Sequence, residues 1–252
     1  MGESNLINRY AVVSGSSRGI GREIAIRLAR SGADIMLHGG HCQDALDQTL
    51  EEVTALGVDV NTICADLSTE SGQLQLMDAA TCGGRVPDIW VNNAGVDTLT
   101  GPLATVDYYT KLARLWEVDV VATIRLSRLV GGLMQKAGNG SIINIGWDQV
   151  DWGMEGDSGE IFCATKGAVM AFTRSLAKTL SPIVRVNCIA PGWIKTKWGE
   201  TAPDDWQQRA IGESLLRRWG TAQDVAEAAL FLASSGSAFI TGQSIAVNGG
   251  RR

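Results

Sequence analysis

The chain has 252 residues, of which 45% are hydrophobic and 19% are charged. This composition is that of one ordinary folded domain with a substantial core. The formal net charge is −5, and no block of Lys or Arg is present, which argues against nucleic acid or an anionic membrane as the main partner. A small-molecule or protein partner is therefore expected.

Two further features bear on the compartment. The stretch 1–9 lacks the basic and apolar regions of a secretory signal, and no segment reaches the ~20 apolar residues of a membrane span. The five cysteines are scattered and have no CxxC spacing, which indicates reduced thiols and no metal site. They are Cys42, Cys64, Cys82, Cys163 and Cys188. A cytoplasmic protein is predicted.

Short β-branched segments alternate with longer amphipathic segments, a pattern typical of a parallel sheet covered by helices. We predict strands at Tyr10–Ser14, Asp34–His38, Val60–Cys64, Ile89–Asn92, Ser141–Ile145, Val184–Cys188 and Ser244–Val247. We predict helices at Ile20–Ala29, Gln43–Leu56, Ser71–Ala80, Val106–Lys136, Ile161–Leu180 and Ala222–Leu232. The expected fold class is α/β, a single doubly wound Rossmann-type domain with a parallel seven-stranded sheet and helices on both faces.

Two segments interrupt this alternation, and each follows a predicted strand. Residues 146–159 are rich in Gly, Asp and Trp, and residues 191–220 contain four of the eight tryptophans. Because open α/β sheets bind ligands beyond the carboxyl ends of their strands, both segments are expected on the substrate side of one domain that spans residues 1–252.

A glycine-rich segment, Ser14-Gly15-Ser16-Ser17-Arg18-Gly19-Ile20-Gly21, lies between the first predicted strand and helix. Glycines there let the backbone turn tightly and approach a pyrophosphate, which the helix N-terminus stabilises. Alone, this turn is weak evidence, because any tight strand-to-helix loop can have this composition. It is joined by three motifs near the ends of later strands and helices. They are Asn92-Asn93-Ala94-Gly95, Pro191-Gly192-Trp193-Ile194-Lys195-Thr196 and the closing pair Thr241-Gly242-Gln243 and Asn248-Gly249-Gly250.

In order and spacing, these motifs resemble the short-chain dehydrogenase/reductase family over essentially the whole chain. The resemblance implies a nicotinamide nucleotide whose pyrophosphate and adenosine ribose are held by Gly15, Ser17, Arg18, Ile20 and Gly21. It implies that the adenosine side of the cleft is formed by Asp66, at the adenine, and by Asn93, Ala94 and Gly95. It also implies that the nicotinamide side is formed by Pro191, Gly192, Ile194, Thr196 and Lys166.

Cofactor preference is set by the end of the second strand, which here reads His38-Gly39-Gly40-His41. The acidic residue that bonds the ribose hydroxyls of NAD is missing there, and Arg18 can pair with a phosphate bidentately. NADP is therefore favoured, with NAD as the alternative. A protonated His38 or His41 is a further candidate for the phosphate, although a loop histidine is commonly just solvated.

Family members reduce a carbonyl with a hydride from the nicotinamide and a proton from a Tyr, assisted by a Lys, a Ser and an Asn. Lys166 is present, whereas Phe162 stands at the Tyr position and Asp119 at the Asn position. The Ser position is Trp147 when counted from the preceding strand and Gln149 when counted back from Phe162, and neither has a hydroxyl. The resemblance thus predicts intact nucleotide binding beside a divergent proton-transfer site.

The loop before Phe162 contains five carboxylates that are candidates for a substitute acid: Asp148, Asp151, Glu155, Asp157 and Glu160. A carboxyl group buried beside a Trp can have its pKa raised enough to act as an acid near neutrality. The alternative is a solvated acidic loop. Cys163 is another candidate acid or nucleophile, or simply a small buried helix residue.

Four tryptophans fall in the loops expected to line the cleft: Trp147, Trp152, Trp193 and Trp198. They form either an aromatic pocket for an apolar ligand or packing at a subunit interface or under a lid. Structural positions are expected for Trp116, Trp206 and Trp219, and a core position for Trp90.

Related proteins assemble through the helices that correspond to Val106–Lys136 and Ile161–Leu180 and through the C-terminal strand. A homo-oligomer is expected, with a tetramer favoured and a dimer possible. Three functions remain open: an NADP-linked oxidoreductase acting on a carbonyl or alcohol, a non-redox lyase, isomerase or hydrolase that uses the acidic loop, and a catalytically silent nucleotide-binding subunit. We rank the oxidoreductase first, because contacts such as Asn93 and Thr196 serve a nicotinamide.

Overall fold

A parallel sheet forms the centre of the protein. Within residues 5–40 and 43–251, which the computed structural model describes, seven strands pair in the order β3-β2-β1-β4-β5-β6-β7. The strands are β1 (Tyr10–Val13), β2 (Asp34–Gly39), β3 (Val60–Cys64), β4 (Ile89–Asn92), β5 (Gly140–Ile145), β6 (Val184–Pro191) and β7 (Ser244–Val247). Strand order reverses between β1 and β4, and this reversal opens a crevice at the carboxyl edge of the sheet.

Helices cover both faces of this sheet. The longer ones are α1 (Gly19–Arg30), α2 (Gln43–Thr54), α3 (Glu70–Ala80), α4 (Tyr108–Leu115), α5 (Thr123–Ala137), α6 (Asp157–Leu180), α7 (Lys197–Thr201), α8 (Asp204–Glu213) and α9 (Ala222–Ala233). Ile24 of α1 and Val225 of α9 pack in the core of one face, and Leu126 of α5 and Leu180 of α6 pack in the other. β1, β4 and β5 are buried along their whole length, as expected of strands covered on both sides. The predicted Rossmann-type fold class is confirmed.

The segment predicted as one helix over Val106–Lys136 is divided. Asp107 caps α4 by accepting hydrogen bonds from the N–H groups of Tyr109 and Thr110, and a π-helical stretch, Trp116–Ala122, then leads into α5. The axis continues through the π-helical stretch, so the hydrophobic pattern reads as one helix. π-Helical turns are rare in proteins, and those that occur are often found at functional sites. This one contains the buried Asp119.

The two irregular segments contain short helices that the sequence pattern did not predict. Residues 191–220 include α7 and α8, and a single 3₁₀ turn covers Asp148–Asp151. β6 continues through Pro191 instead of ending at Cys188, and α6 begins at Asp157 instead of Ile161. β6 is longer than predicted because its residues from Cys188 to Pro191 pair with β7, a strand far along the chain.

A chain of buried polar side chains links the strands and helices beneath the crevice. Trp90 Nε1 donates to Asn92 Oδ1, and Asn92 Nδ2 donates to Ser127 Oγ and Asn144 Oδ1, each at 2.8 Å. Asn144 Nδ2 donates to Thr173 Oγ1 at 2.8 Å. Because each of these buried groups has a partner, the network fixes β4, β5, α5 and α6 relative to one another. The predicted core position of Trp90 is confirmed, since its side chain is fully buried.

Candidate active site

The glycine-rich turn packs directly against the end of β4. A Cβ atom at Gly15, where φ is +65°, would lie 2.8 Å from Ala94 Cα, and one at Gly21 would lie 2.2 Å from the Gly15 carbonyl oxygen. Asn93 Nδ2 donates to the carbonyl oxygens of Ser14 and Gly15 at 3.1 and 3.0 Å. Only glycine permits this close approach, and Asn93 holds the turn in place.

The turn leads into an open helix N-terminus. Arg18 is the extended residue before α1; among the described residues no side chain caps this helix, and its first turn has no acidic residue. The first N–H groups of α1 are thus available to an anion, and the helix dipole favours one. Ser17 and Ile20 flank Arg18 in the turn and in α1. These residues and the cradle at Gly15 fit the pyrophosphate of a dinucleotide.

His38 has a different position from the one predicted. It is 1% exposed; Nδ1 accepts from the Gly15 N–H at 3.0 Å, which leaves the proton on Nε2, and Nε2 donates to the Ala65 carbonyl oxygen at 2.9 Å. Burial lowers the pKa of His38, so the ring is neutral. The prediction that a protonated His38 meets a cofactor phosphate is wrong on this geometry, because both ring nitrogens already support the backbone. His41 and Cys42 lie outside the described residues.

The remaining residues predicted for the cofactor lie at the same carboxyl edge. Asp66 follows β3, and its Oδ1 accepts from the Ser68 N–H at 2.9 Å. Pro191 ends β6, Gly192 follows it, and Ile194 pairs with Gly220. Across the crevice, the methyl group of Thr196 would lie 3.9 Å from a Cβ at Gly19. The structure therefore brings the Gly-rich turn and the segment after β6 together.

Lys166 and Asp119 form a buried ion pair between α6 and the π-helical stretch. Lys166 Nζ lies 2.7 Å from Asp119 Oδ2 and donates to the Ile145 carbonyl oxygen at 3.3 Å. Asp119 Oδ1 accepts from the Val96 N–H at 3.1 Å, and Asp119 Oδ2 would lie 3.0 Å from a Cβ at Gly95. The ammonium group is therefore held at the end of β5.

Trp147 and Phe162 pack against each other beside this pair. Their ring centroids are 5.9 Å apart at an interplanar angle of 64°, which is an edge-to-face contact. Gln149 turns elsewhere, since its Oε1 accepts from Arg251 Nη1 at 2.5 Å and its carbonyl oxygen from Cys163 Sγ at 3.5 Å. Of the two residues considered for one position in the sequence, Trp147 is thus the one whose side chain contacts Phe162.

The five loop carboxylates differ in how far they are buried. Asp148 is 6% exposed, whereas the other four are exposed: Asp151, Glu155, Asp157 and Glu160. Asp148 Oδ2 accepts from Asn248 Nδ2 at 3.0 Å, and burial raises the pKa of Asp148. The hydrogen bond from Arg209 lowers the pKa of Glu155 to about 2. Sequence pattern alone did not single out Asp148, because its burial depends on Asn248, a residue far along the chain.

Three tryptophans form an aromatic cluster over the end of β6. The ring of Trp193 lies 5.6 Å from that of Trp206 and 6.0 Å from that of Trp219, and Trp193 Nε1 donates to Glu213 Oε2 at 2.8 Å. This cluster is packing within the subunit. Trp152 and Trp116 are instead 68% and 43% exposed, so both are surface residues in the single chain. The side chain of Trp198 lies outside the described residues.

The described part of the chain also bears on the predictions about metals, membranes and cysteines. No three His, Cys, Asp or Glu side chains of that part lie close enough to hold a metal ion, and none of its helices is long and apolar enough to cross a membrane. Four thiols there are free, those of Cys64, Cys82, Cys163 and Cys188. Burial raises the pKa of Cys163, so this thiol stays protonated.

Comparison with known proteins identifies the family. A family model described as enoyl-(acyl carrier protein) reductase matches residues 15–252. With this match and the relatives below, the chain belongs to the short-chain dehydrogenase/reductase family.

Relatives of known name match nearly the whole chain. Nodulation protein G of a Rhizobium species is 36% identical over 250 residues, which cover 97% of each chain. The 3-oxoacyl-(acyl-carrier-protein) reductase of Chlamydia trachomatis is 36% identical over 258 residues, which cover 97% of this chain and 98% of the reductase.

Solved structures of similar fold include two with bound nucleotide. A 7α-hydroxysteroid dehydrogenase in complex with NADH and 7-oxo glycochenodeoxycholic acid has a TM-score of 0.89 and 30% identity, covering 98% of this chain and 95% of its own. A structure from Beutenbergia cavernae, described as an NAD(P)-dependent gluconate 5-dehydrogenase with NADP at low occupancy, has a TM-score of 0.88 and 31% identity, covering 99% and 98%.

Proposed function

We propose that the protein is an NADP-dependent oxidoreductase that interconverts a carbonyl and an alcohol on a small-molecule substrate. The observation that carries this proposal is the nucleotide cradle at Gly15, Gly21 and Asn93, combined with Lys166 fixed at the end of β5. A reductase and a hydroxysteroid dehydrogenase are among the similar proteins, which supports the same chemistry. When bound, the nicotinamide supplies or accepts the hydride.

Preference for NADP over NAD follows from the end of β2. Gly39 and Gly40 stand where NAD-dependent relatives have a carboxylate, so no carboxylate at the end of β2 repels a 2′-phosphate. Arg18, which is exposed beside the turn, supplies a planar cation of the kind that binds phosphate. The bound NADP of the gluconate dehydrogenase structure supports this choice.

The proton path of this enzyme diverges from that of its relatives. We infer that Phe162 occupies the position of the family's Tyr and Trp147 that of its Ser, with Asp119 in place of the Asn. Losing a general acid costs roughly 10²–10⁴ in rate, and losing an oxyanion donor costs roughly 10²–10³. Without another acid the protein would be a nucleotide-binding subunit with little turnover. The contact between the Trp147 and Phe162 rings supports that second candidate function.

The first experiment is a calorimetric titration with NADPH and with NADH. We expect micromolar binding, tighter for NADPH, and a preference for NADPH that falls about tenfold or more in Arg18→Ala, because the lost bonds are to a charged group. Absence of binding by either nucleotide would refute both candidates and favour a non-redox enzyme that uses the acidic loop.

A second experiment separates an active oxidoreductase from a silent subunit. The wild type and the double variant Phe162→Tyr, Trp147→Ser are assayed for NADPH oxidation with a panel of aldehydes and ketones. Turnover by the wild type supports the oxidoreductase. Turnover by the double variant alone supports the silent subunit, and turnover by neither indicates that the substrate pocket is built for other chemistry.

A further inference from the structure

The strongest unexplained group near the candidate site is the carboxyl of Asp148. Its Oδ2 accepts the bond from Asn248, while its buried Oδ1 has no hydrogen-bond partner among the described residues. An ionised carboxylate oxygen buried without a donor is costly, whereas a protonated carboxyl removes the charge. A proton on Oδ1 would make this oxygen a hydrogen-bond donor for the oxygen of a ligand.

The place of Asp148 suits a role in the candidate reaction. It directly follows Trp147, whose ring contacts Phe162, and Lys166 Nζ binds the carbonyl oxygen of Ile145 at the end of the same strand. Asp148 Oδ2 would also lie 3.2 Å from a Cβ at Gly192. The carboxyl thus lies where β5, β6 and β7 end together, at the edge where the nicotinamide half of the cofactor is expected.

Glycine at position 192 makes room for this arrangement. A Cβ there would lie 2.5 Å from Asn248 Cβ as well as against Asp148. Gly192 and Asn248 belong to loops that leave the sheet, and they cover the carboxyl. Contact between a substrate oxygen and the buried Oδ1 therefore requires a local movement of these loops.

Charged and titratable groups face Asp148 from three directions. Burial has the largest effect on the pKa of Asp148 and raises it. The Asn248 bond, the Arg251 guanidinium and the backbone N–H of Gln149 oppose this, and Glu213 of α8 adds to it. On α6, Cys163 is a neutral thiol because burial raises its own pKa. The Arg251 guanidinium donates a hydrogen bond to Gln149 Oε1. The net effect favours the protonated carboxyl.

We propose that Asp148 is the acid that gives a proton to the substrate oxygen in this protein. The inference rests on the proposed oxidoreductase function. As the carbonyl carbon receives a hydride, the π electron pair of the C=O bond moves to oxygen, and that oxygen takes the proton from Asp148 Oδ1. Asp148 is left as a carboxylate, and a solvent proton restores the acid. In the oxidation direction the carboxylate accepts the alcohol proton.

The test compares Asp148→Asn with Asp151→Asn, an exposed residue of the same loop. Asn has nearly the size of Asp and can still accept a hydrogen bond from Asn248. NADPH affinity measured by calorimetry should therefore change less than about twofold, which is less than the loss of one hydrogen bond would cause. Carbonyl reduction should fall by roughly 10²–10⁴ in Asp148→Asn and remain unchanged in Asp151→Asn. The wild-type rate should decline as pH rises through the pKa of Asp148.

A measurement on the wild type does not depend on the variant's folding. In protein labelled with ¹³C at the aspartate carboxyl, the Asp148 signal should titrate at higher pH than the signals of exposed aspartates. Titration together with the exposed groups would overturn the proposal, as would an Asp148→Asn variant that reduces carbonyls at the wild-type rate. A wild type that binds NADPH and reduces no carbonyl would instead refute the proposed function itself, and the donor role with it.

Discussion

The ion pair between Lys166 and Asp119 buries a carboxylate beside an ammonium group. The Asp119 carboxylate is 1% exposed and binds both the ammonium and the Val96 N–H, so its two oxygens are satisfied. A buried charge is stable only when an opposite charge and hydrogen-bond donors or acceptors surround it. Removal of one residue of the pair therefore leaves the other charge uncompensated. The pair is thus a fixed part of the site that orients Lys166.

Replacement of Lys166 by Ala should weaken both the fold and nucleotide binding. Asp119 would be left as a buried charge, which typically costs about 3–5 kcal/mol of unfolding free energy in a denaturant titration. The double variant Lys166→Ala, Asp119→Asn should recover much of this loss, since the uncompensated charge is gone. NADPH affinity should stay low in both variants. Wild-type affinity in the double variant would remove the role assigned to Lys166 at the nicotinamide ribose.

The raised pKa of Asp148 makes a separate prediction about stability and pH. A folded-state pKa above the unfolded value of about 3.9 means that the protonated form is favoured by folding. This contribution is fully present below about pH 4 and is lost as pH rises through the folded-state pKa. Chemical denaturation should therefore show Asp148→Asn gaining stability relative to the wild type over that interval. Asp151→Asn should show no such trend, and an equal trend in both variants would contradict the assignment.

Individual residues differed in how far the sequence could predict them. The positions of Gly15 and Gly21 were predictable, because the close approach of the backbone there requires glycine and the motif is local. The buried position of His38 was not predictable from the sequence. Its hydrogen bonds to Gly15 and Ala65 depend on how β1, β2 and β3 lie side by side. Asp148 was one of five equivalent carboxylates until folding brought Asn248 to it.

Helix α5 offers a matched pair of glycines with opposite surroundings. A Cβ at Gly131 would lie 2.5 Å from Leu180 Cδ1 of α6, whereas one at Gly132 would meet nothing within 4 Å. Gly132→Ala should raise the unfolding free energy by roughly 0.5–1 kcal/mol, because alanine loses less backbone entropy in a helix. Gly131→Ala should lower it by roughly 1–3 kcal/mol through overpacking. Equal effects in thermal unfolding would contradict the packing of α5 on α6.

The same elements mark the limit of pattern-based prediction. Each of the seven strands was found near its predicted position, since short buried β-branched segments bounded by turns have few alternatives. The π-helical stretch Trp116–Ala122 was not predicted, because it keeps the helical hydrophobic spacing while changing only the hydrogen bonds. Helices α7 and α8 were missed because they are short and lie in a segment interrupted by Gly, Pro and Trp.

For the assembled protein we propose a homo-oligomer, with a tetramer favoured over a dimer. Large apolar side chains remain exposed along α4, α5 and the stretch between them, including Tyr109, Trp116, Val121 and Leu129. Phe239, close to β7, is fully exposed in the single chain. Apolar side chains exposed on such helices support symmetric association.

Substitution of Leu129 tests this assembly against a matched control. Leu129 on α5 is 40% exposed and Leu74 on α3 is 41% exposed, but only Leu129 lies on the proposed contact surface. In sedimentation experiments Leu129→Glu should shift the protein to a smaller species, since a buried unpaired carboxylate opposes association. Leu74→Glu should leave the mass unchanged. A wild type that sediments as a monomer would refute the oligomer outright.

The contact between Trp147 and Phe162 also constrains how this protein can change over time. Each ring forms part of the other's packing surface, so the effects of substituting them are coupled and do not add. Substitution of one ring leaves the other with part of its packing surface exposed or unfilled. Each of the two positions is therefore constrained by the residue at the other.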